Sequence, residues 1–108
     1  MLNCKVAIYI PATINVNIAI DNKTQVKKAC VFLSTLFGGC TALNASGFWI
    51  DNNSNLIKEN TTFVYAFCNR KQLRKAKKSI INYAKNLCTE MQQETIAIEI
   101  NNRLYFIN

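Results

Sequence analysis

Seven basic side chains fall within sixteen positions of one predicted helix, and their chemistry suits the binding of anions. No acidic residue interrupts the run, and at 100° per residue five of the cations share one broad face that Lys71 and Lys75 flank. The run predicts contact with nucleic acid or with an acidic protein surface, and a simply solvated helix face is the alternative. The candidate binding residues are Arg70, Lys71, Arg74, Lys75, Lys77, Lys78 and Lys85.

Aromatic side chains form a second candidate surface. Phe63, Tyr65 and Phe67 alternate along one predicted strand and therefore share a face, whereas Phe48 and Trp49 point to opposite faces of the preceding strand. Such a face stacks bases in some RNA-binding domains, packs under helices as core, or becomes the contact surface of a dimer. The residues assigned to this contact or dimer surface are Trp49, Phe63, Tyr65, Phe67 and Tyr105.

Catalytic chemistry has a narrow basis in this sequence. There is no histidine, which excludes His-based triads, His–metal sites and imidazole acid–base catalysis. The five cysteines include no C-x-x-C pair, and the six acidic residues are too scattered to predict a carboxylate pair or a metal site. Cys40, beside two glycines, and Glu59, inside a predicted strand, are the residues on which an enzyme would depend. No cofactor is indicated.

Composition limits the class of protein. The chain has 108 residues and a net charge of +7, and half of it is apolar, so we expect one domain over residues 1–108 with a modest core. No stretch approaches the length of a membrane span, and no secretory signal is recognised at Met1–Lys5. With the odd cysteine count, these features predict a cytoplasmic protein with no membrane contact.

The order of predicted elements indicates how these residues are positioned. A strand at 4–10 is followed by an ambiguous segment at 12–22, a helix at 24–36, two strands at 41–51 and 56–68, a helix at 70–92, and strands at 95–100 and 103–107. Gly47 is a candidate for a β-bulge. The order β-α-β-β-α-β predicts a ferredoxin-like α+β sandwich, with two helices on one face of an antiparallel sheet and an extra short C-terminal strand.

Four short segments resemble a group of small proteins carried by phages and other mobile elements. They are Tyr9-Ile10-Pro11, Phe37-Gly38-Gly39-Cys40-Thr41, Gly47-Phe48-Trp49 and Gln93-Glu94. Ala12 departs from the pattern, which has a hydroxyl residue after the proline. Some mobile-element proteins of this size resemble inhibitors of host defence systems, including anti-CRISPR proteins.

This resemblance and the basic helix together predict a non-catalytic binding protein. We expect a homodimer in the host cytoplasm that inhibits a host nucleoprotein defence complex through the face around Arg70–Lys78. The first alternative is a regulatory protein that binds DNA or RNA directly. The second alternative is a small enzyme that uses Cys40 or Glu59.

Overall fold

The computed structural model describes residues 1–14 and 18–108, which form seven strands and two helices. In chain order they are β1 (Cys4–Pro11), β2 (Thr13–Ile14), β3 (Ile18–Ala19), α1 (Lys23–Phe37), β4 (Thr41–Ile50), β5 (Leu56–Cys68), α2 (Arg70–Glu90), β6 (Ile96–Ile100) and β7 (Arg103–Ile107). The ambiguous segment contains β2 and β3, which pair with each other. Its predicted alternation at Asn15, Val16 and Asn17 lies outside the described residues.

The described strands make a five-stranded antiparallel sheet in the order β4-β5-β1-β6-β7, beside the small β2–β3 pair. Side chains on one face of the sheet, including Val6, Ile8 and Ile10 of β1, join Leu33 of α1 and Ile80 of α2 in one buried core. Both helices therefore pack on the same face. The α+β architecture is confirmed, and it is compatible with a ferredoxin-like fold.

Local sequence signals explain where the helices begin and end. The Asn69 side chain accepts a hydrogen bond from the Gln72 backbone N–H, and the Gln72 side chain accepts one from the Asn69 N–H, so α2 starts with a reciprocal capping box. Gly38 ends α1 at φ +92°, a left-handed conformation that glycine adopts without a Cβ clash. Neither described helix combines the length and the apolar character needed to cross a bilayer.

The β4–β5 hairpin extends past the end of β1. The last β1–β5 pair is Pro11 with Thr61, whereas the β4–β5 ladder continues to Ile50 with Leu56. The ladder runs without interruption through the pair of Gly47 and Glu59, so the expected bulge is absent there. The projecting hairpin leaves a step where β1 stops.

Candidate active site

A cavity of about 410 Å³ lies at this step, on the face of the sheet away from the helices. Its walls come from the end of β1, from β2, from the middle of the β4–β5 hairpin and from the segment that leads into β6. Its size is typical of small-molecule sites, which occupy roughly 300–1,000 Å³. The lining residues are Tyr9, Pro11, Thr13, Ala45, Ser46, Gly47, Glu59, Asn60, Thr61, Phe63, Gln93, Thr95, Ile96, Ala97 and Phe106.

Glu59 supplies the negative charge of this cavity. It is the one acidic residue among the described residues that line it. Glu59 is exposed and lies opposite Gly47 in the ladder, where the missing side chain keeps the space in front of the strand open. A carboxylate so placed attracts a cationic group of a ligand.

Tyr9 and Phe63 form the aromatic wall. Their rings belong to paired positions of β1 and β5, and the ring centroids are 4.0 Å apart at an interplanar angle of 35°. The face of such a ring attracts a cation, and it also stacks on a planar base. The aromatic pair therefore suits a ligand that carries both a cation and a planar base.

A network behind the wall holds Tyr9 in place. Its hydroxyl donates a hydrogen bond of 3.0 Å to Glu99 Oε1, and Lys5 Nζ lies 3.8 Å from Glu99 Oε2. Burial, followed by the hydrogen bond to Glu99 and the charge of that carboxylate, raises the pKa of Tyr9 above its ordinary value of 10.0. Tyr9 is therefore a neutral phenol at physiological pH and does not serve there as a base.

Gln93 closes the cavity from the other side. Its amide nitrogen lies 3.0 Å from the Thr13 carbonyl oxygen, 3.4 Å from Thr13 Oγ1 and 3.4 Å from the Met91 carbonyl oxygen. Within the described part of the chain, the amide oxygen of Gln93 has no hydrogen-bond partner. It is therefore available to accept a hydrogen bond from a ligand.

Cys40 lies far from this cavity. It borders a smaller cavity at the opposite end of β4, next to Phe37 and Gly39. The Cys40 thiol accepts from Ser34 Oγ at 3.4 Å and donates to the Cys30 carbonyl oxygen at 3.5 Å. Because the Cys40 and Glu59 positions are about 20 Å apart along the hairpin, the two residues do not form a joint site.

The predicted aromatic surface is divided between the two faces of the sheet. Register places Phe63, Tyr65 and Phe67 with Trp49 on the open face, where Trp49 and Phe67 are about half exposed. Of these four, Phe63 alone reaches the cavity. Tyr105 differs, because it pairs with Ile98 on the helix side and packs against the core. Its use as an open-face contact residue is not supported by this position, and the homodimer stays a prediction.

The seven basic residues of α2 lie on the outer surface of the helical layer. All are exposed, and none forms an ion pair with another described residue. None of them lines the cavity. The helix therefore does not take part in the candidate site, and its role as a contact surface stays a prediction.

Metal-ligating side chains are not clustered in the described residues. No group of three or more His, Cys, Asp or Glu residues that could hold a metal ion occurs in the described ranges. The cavity offers one carboxylate, an aromatic pair and amide groups.

Sequence reasoning singled out Glu59 but did not place its neighbours in the same cavity. Tyr9, Pro11, Gly47 and Gln93 line the cavity, and each belongs to one of the segments on which the family resemblance rested. The fourth segment, Phe37–Thr41, lies at the other end of the sheet. Three separate short segments thus converge on one site, which was the signal available in the sequence.

The fold is an α+β sandwich shared with known enzymes. A solved structure of a phage SAM lyase in complex with S-methyl-5'-thioadenosine matches with a TM-score of 0.66 and 14% identity, covering 97% of this chain and 88% of that one. A phage SAM lyase in the apo state matches with a TM-score of 0.68 and 13% identity, covering 99% and 90%. No protein-family model and no curated protein matches the chain.

These matches overturn the main functional expectation. The two solved structures that match over nearly the whole chain are both of a phage SAM lyase, an enzyme, so the expectation of a non-catalytic, anti-CRISPR type inhibitor of a host defence complex is wrong. The alternative of a small enzyme fits the comparison better. Of the two residues put forward for that enzyme, Glu59 lies in the cavity and Cys40 does not.

Proposed function

We propose that this protein is an enzyme that cleaves S-adenosylmethionine (SAM) and releases S-methyl-5'-thioadenosine. The observation that carries the proposal is the cavity itself, which combines one carboxylate with an aromatic pair, in a fold that phage SAM lyases share. SAM has a sulfonium cation, an ammonium group and a planar base, and each has a complementary group in the cavity wall.

The identity of one product defines the bond that breaks. The sulfonium of SAM carries a methyl group, the 5′ carbon of adenosine and the γ carbon of methionine, and S-methyl-5'-thioadenosine retains the first two. The bond from sulfur to the γ carbon is therefore broken, and sulfur keeps the electron pair and becomes neutral. A lyase adds no water, so the γ carbon gains its new bond within the fragment. The donor is either the fragment's own carboxylate oxygen, which closes a lactone, or the neighbouring C–H bond, which loses a proton and forms a double bond.

The cavity residues take distinct roles in this proposal. Tyr9 and Phe63 provide ring faces for adenine and for the sulfonium, and the amide oxygen of Gln93 accepts a hydrogen bond from the adenine amino group. Glu59 holds the cationic methionine half of SAM. The carboxylate of that methionine half can then reach the γ carbon and close the lactone. If the double bond forms instead, Glu59 accepts the proton.

The direct test is to incubate the protein with SAM and measure S-methyl-5'-thioadenosine and the amino-acid fragment by mass spectrometry. Lactone and double-bond products differ in structure, which identifies the route. Glu59→Gln removes the charge with little change in shape. It should lower kcat/KM by about tenfold to a hundredfold, since a hydrogen bond to a charged group contributes roughly 1.5–3 kcal/mol.

Two variants serve as controls for this experiment. Glu90→Gln makes the same chemical change at an exposed carboxylate of α2 that pairs with Lys28, and Cys40→Ser tests the thiol of the second cavity. Both should retain wild-type rates. Absence of S-methyl-5'-thioadenosine with wild-type protein, or full activity of Glu59→Gln, would refute the proposal.

Two further inferences concern the topology of the sheet and the location of the protein. We infer a ferredoxin-like topology with β7 as the added edge strand, because β1 lies between β5 and β6 and both helices cover one face. All five cysteines are free thiols in this structure, and SAM is made and used inside cells, which supports a cytoplasmic location in a phage-infected or element-bearing host.

A further inference from the structure

The outer face of α2 carries the strongest charge concentration of the chain. Its seven cations include the like-charged pairs Arg70–Arg74, Arg74–Lys78 and Lys71–Lys75 at a spacing of four, and each such pair repels. Several of them also lie near the positive end of the helix dipole, which disfavours cations. The described residues place no carboxylate against any of them. An external anion would relieve this repulsion.

We propose that this face binds duplex nucleic acid through its phosphates, independently of the cavity. The stretch from Arg70 to Lys85 is about 22 Å long at 1.5 Å per residue. Duplex DNA carries one charge per about 1.7 Å of axis, so a segment of that length presents about a dozen phosphates. The seven cations of this face supply about one positive charge per 3 Å over the same length, which is roughly one for every two phosphates of the duplex.

The composition of the face favours phosphates over other partners. Five of its seven cations are lysines, a residue type that is depleted in protein–protein interfaces, and it bears no exposed aromatic ring on which single-stranded bases could stack. The other side of α2, including Leu73, Ile80 and Leu87, is buried in the core. The helix therefore has no apolar side left to insert into a membrane. With phosphate contacts alone, the binding is independent of base sequence.

The face and the cavity are on opposite layers of the molecule. The cavity is on the sheet face away from the helices, and α2 contributes none of its lining residues. Bound duplex therefore leaves the cavity accessible, and loss of either activity does not require loss of the other.

The test is a salt titration with a fluorescently labelled DNA duplex of about 20 base pairs, followed by anisotropy. If about four phosphates are neutralised, the affinity should fall roughly a hundredfold between about 50 and 200 mM NaCl. Arg74→Glu with Lys78→Glu should weaken binding at least about tenfold at low salt and make the salt dependence shallower. Arg74→Gln with Lys78→Gln should weaken binding in the same direction without adding negative charge.

The matched control is Lys27→Glu with Lys58→Glu, which changes the net charge equally at exposed positions outside α2. It should change the affinity less than about threefold. Several results would overturn the proposal: no binding of wild-type protein at low salt, equal weakening by the control pair, or tighter binding to single strands or to vesicles of anionic lipid. Thermal unfolding checks that each variant is folded, and the SAM assay reports separately on the cavity.

Discussion

Gly47 is the residue that keeps the candidate active site open. A Cβ atom built there lies 3.9 Å from the Glu59 carbonyl oxygen, an ordinary contact, so the strand itself tolerates a side chain. A valine would project from the cavity wall opposite Glu59 while improving the strand preference of the position. Gly47→Val should therefore abolish most SAM cleavage and leave the unfolding temperature unchanged or higher. Gly39→Ala, at a glycine with open space around it, is the control and should retain activity. Normal activity of Gly47→Val would exclude this cavity as the site.

Tyr9 predicts a dependence of stability on alkaline pH. Its pKa is raised in the folded protein, so the folded state retains the phenol proton at a pH where the unfolded chain has lost it. The contribution is fully present below the unfolded pKa of about 10 and is lost as the pH rises through the folded pKa. Urea unfolding between about pH 8 and 11 should show a smaller decline for Tyr9→Phe than for the wild type. Tyr83, whose pKa is raised first by burial, contributes the same sign in both proteins. An identical decline in the two proteins would contradict this assignment.

Single residues also show why the site was only partly predictable. Glu59 was recognisable because a carboxylate within a strand either faces solvent or has a function. Its neighbours Tyr9 and Gln93 are 50 and 34 positions away in the chain, and only the strand register and the path into β6 bring them to it. No local sequence pattern indicates that residues so far apart in the chain lie in one cavity.

At the scale of elements, α2 has the clearest sequence signals, and the capping box at its N-terminus can be tested directly. The Asn69 side chain caps the backbone N–H of Gln72, so Asn69→Ala should destabilise the protein by about 1 kcal/mol and lower its unfolding temperature by a few degrees. Asn86→Ala, at an exposed interior position of the same helix, should be neutral or slightly stabilising because alanine has the higher helix propensity. Calorimetry distinguishes the two. Equal effects would mean that the capping box contributes nothing.

The elements were predictable where local chemistry alone decides them. Polar residues form the turn between β4 and β5, where the Asp51 side chain accepts hydrogen bonds of 2.9 Å from the backbone N–H groups of Asn53 and Asn55. The start of α1 was less predictable. Asn22 stands at the N-cap position but makes no capping bond, since its amide donates instead to Ile10, Pro11 and Thr62 in the sheet. Tertiary hydrogen bonds of Asn22 there take the place of a local capping bond.

At the scale of the whole molecule, the two helices cover one face of the five-stranded sheet and leave the other face open. The open face consequently displays Leu43, Phe67, Leu104 and Phe106, each exposed by half or more, in addition to the aromatic wall of the cavity. Among the described residues, both helices pack on the core face, and none covers the open one. An apolar surface of this kind is what the sequence interpretation assigned to a dimer.

That assignment yields a prediction about assembly. If a second copy covers the open face, wild-type protein should elute as an oligomer in size-exclusion chromatography with light scattering. Leu43→Lys with Phe67→Lys should then elute as a monomer, because two desolvated cations in an apolar contact are strongly unfavourable. The control, Val31→Lys, places a cation at an exposed apolar residue of α1, on the other side of the molecule, and should leave the mass unchanged. A monomeric wild type at micromolar concentration would show that no second copy covers the open face, and would contradict the dimer.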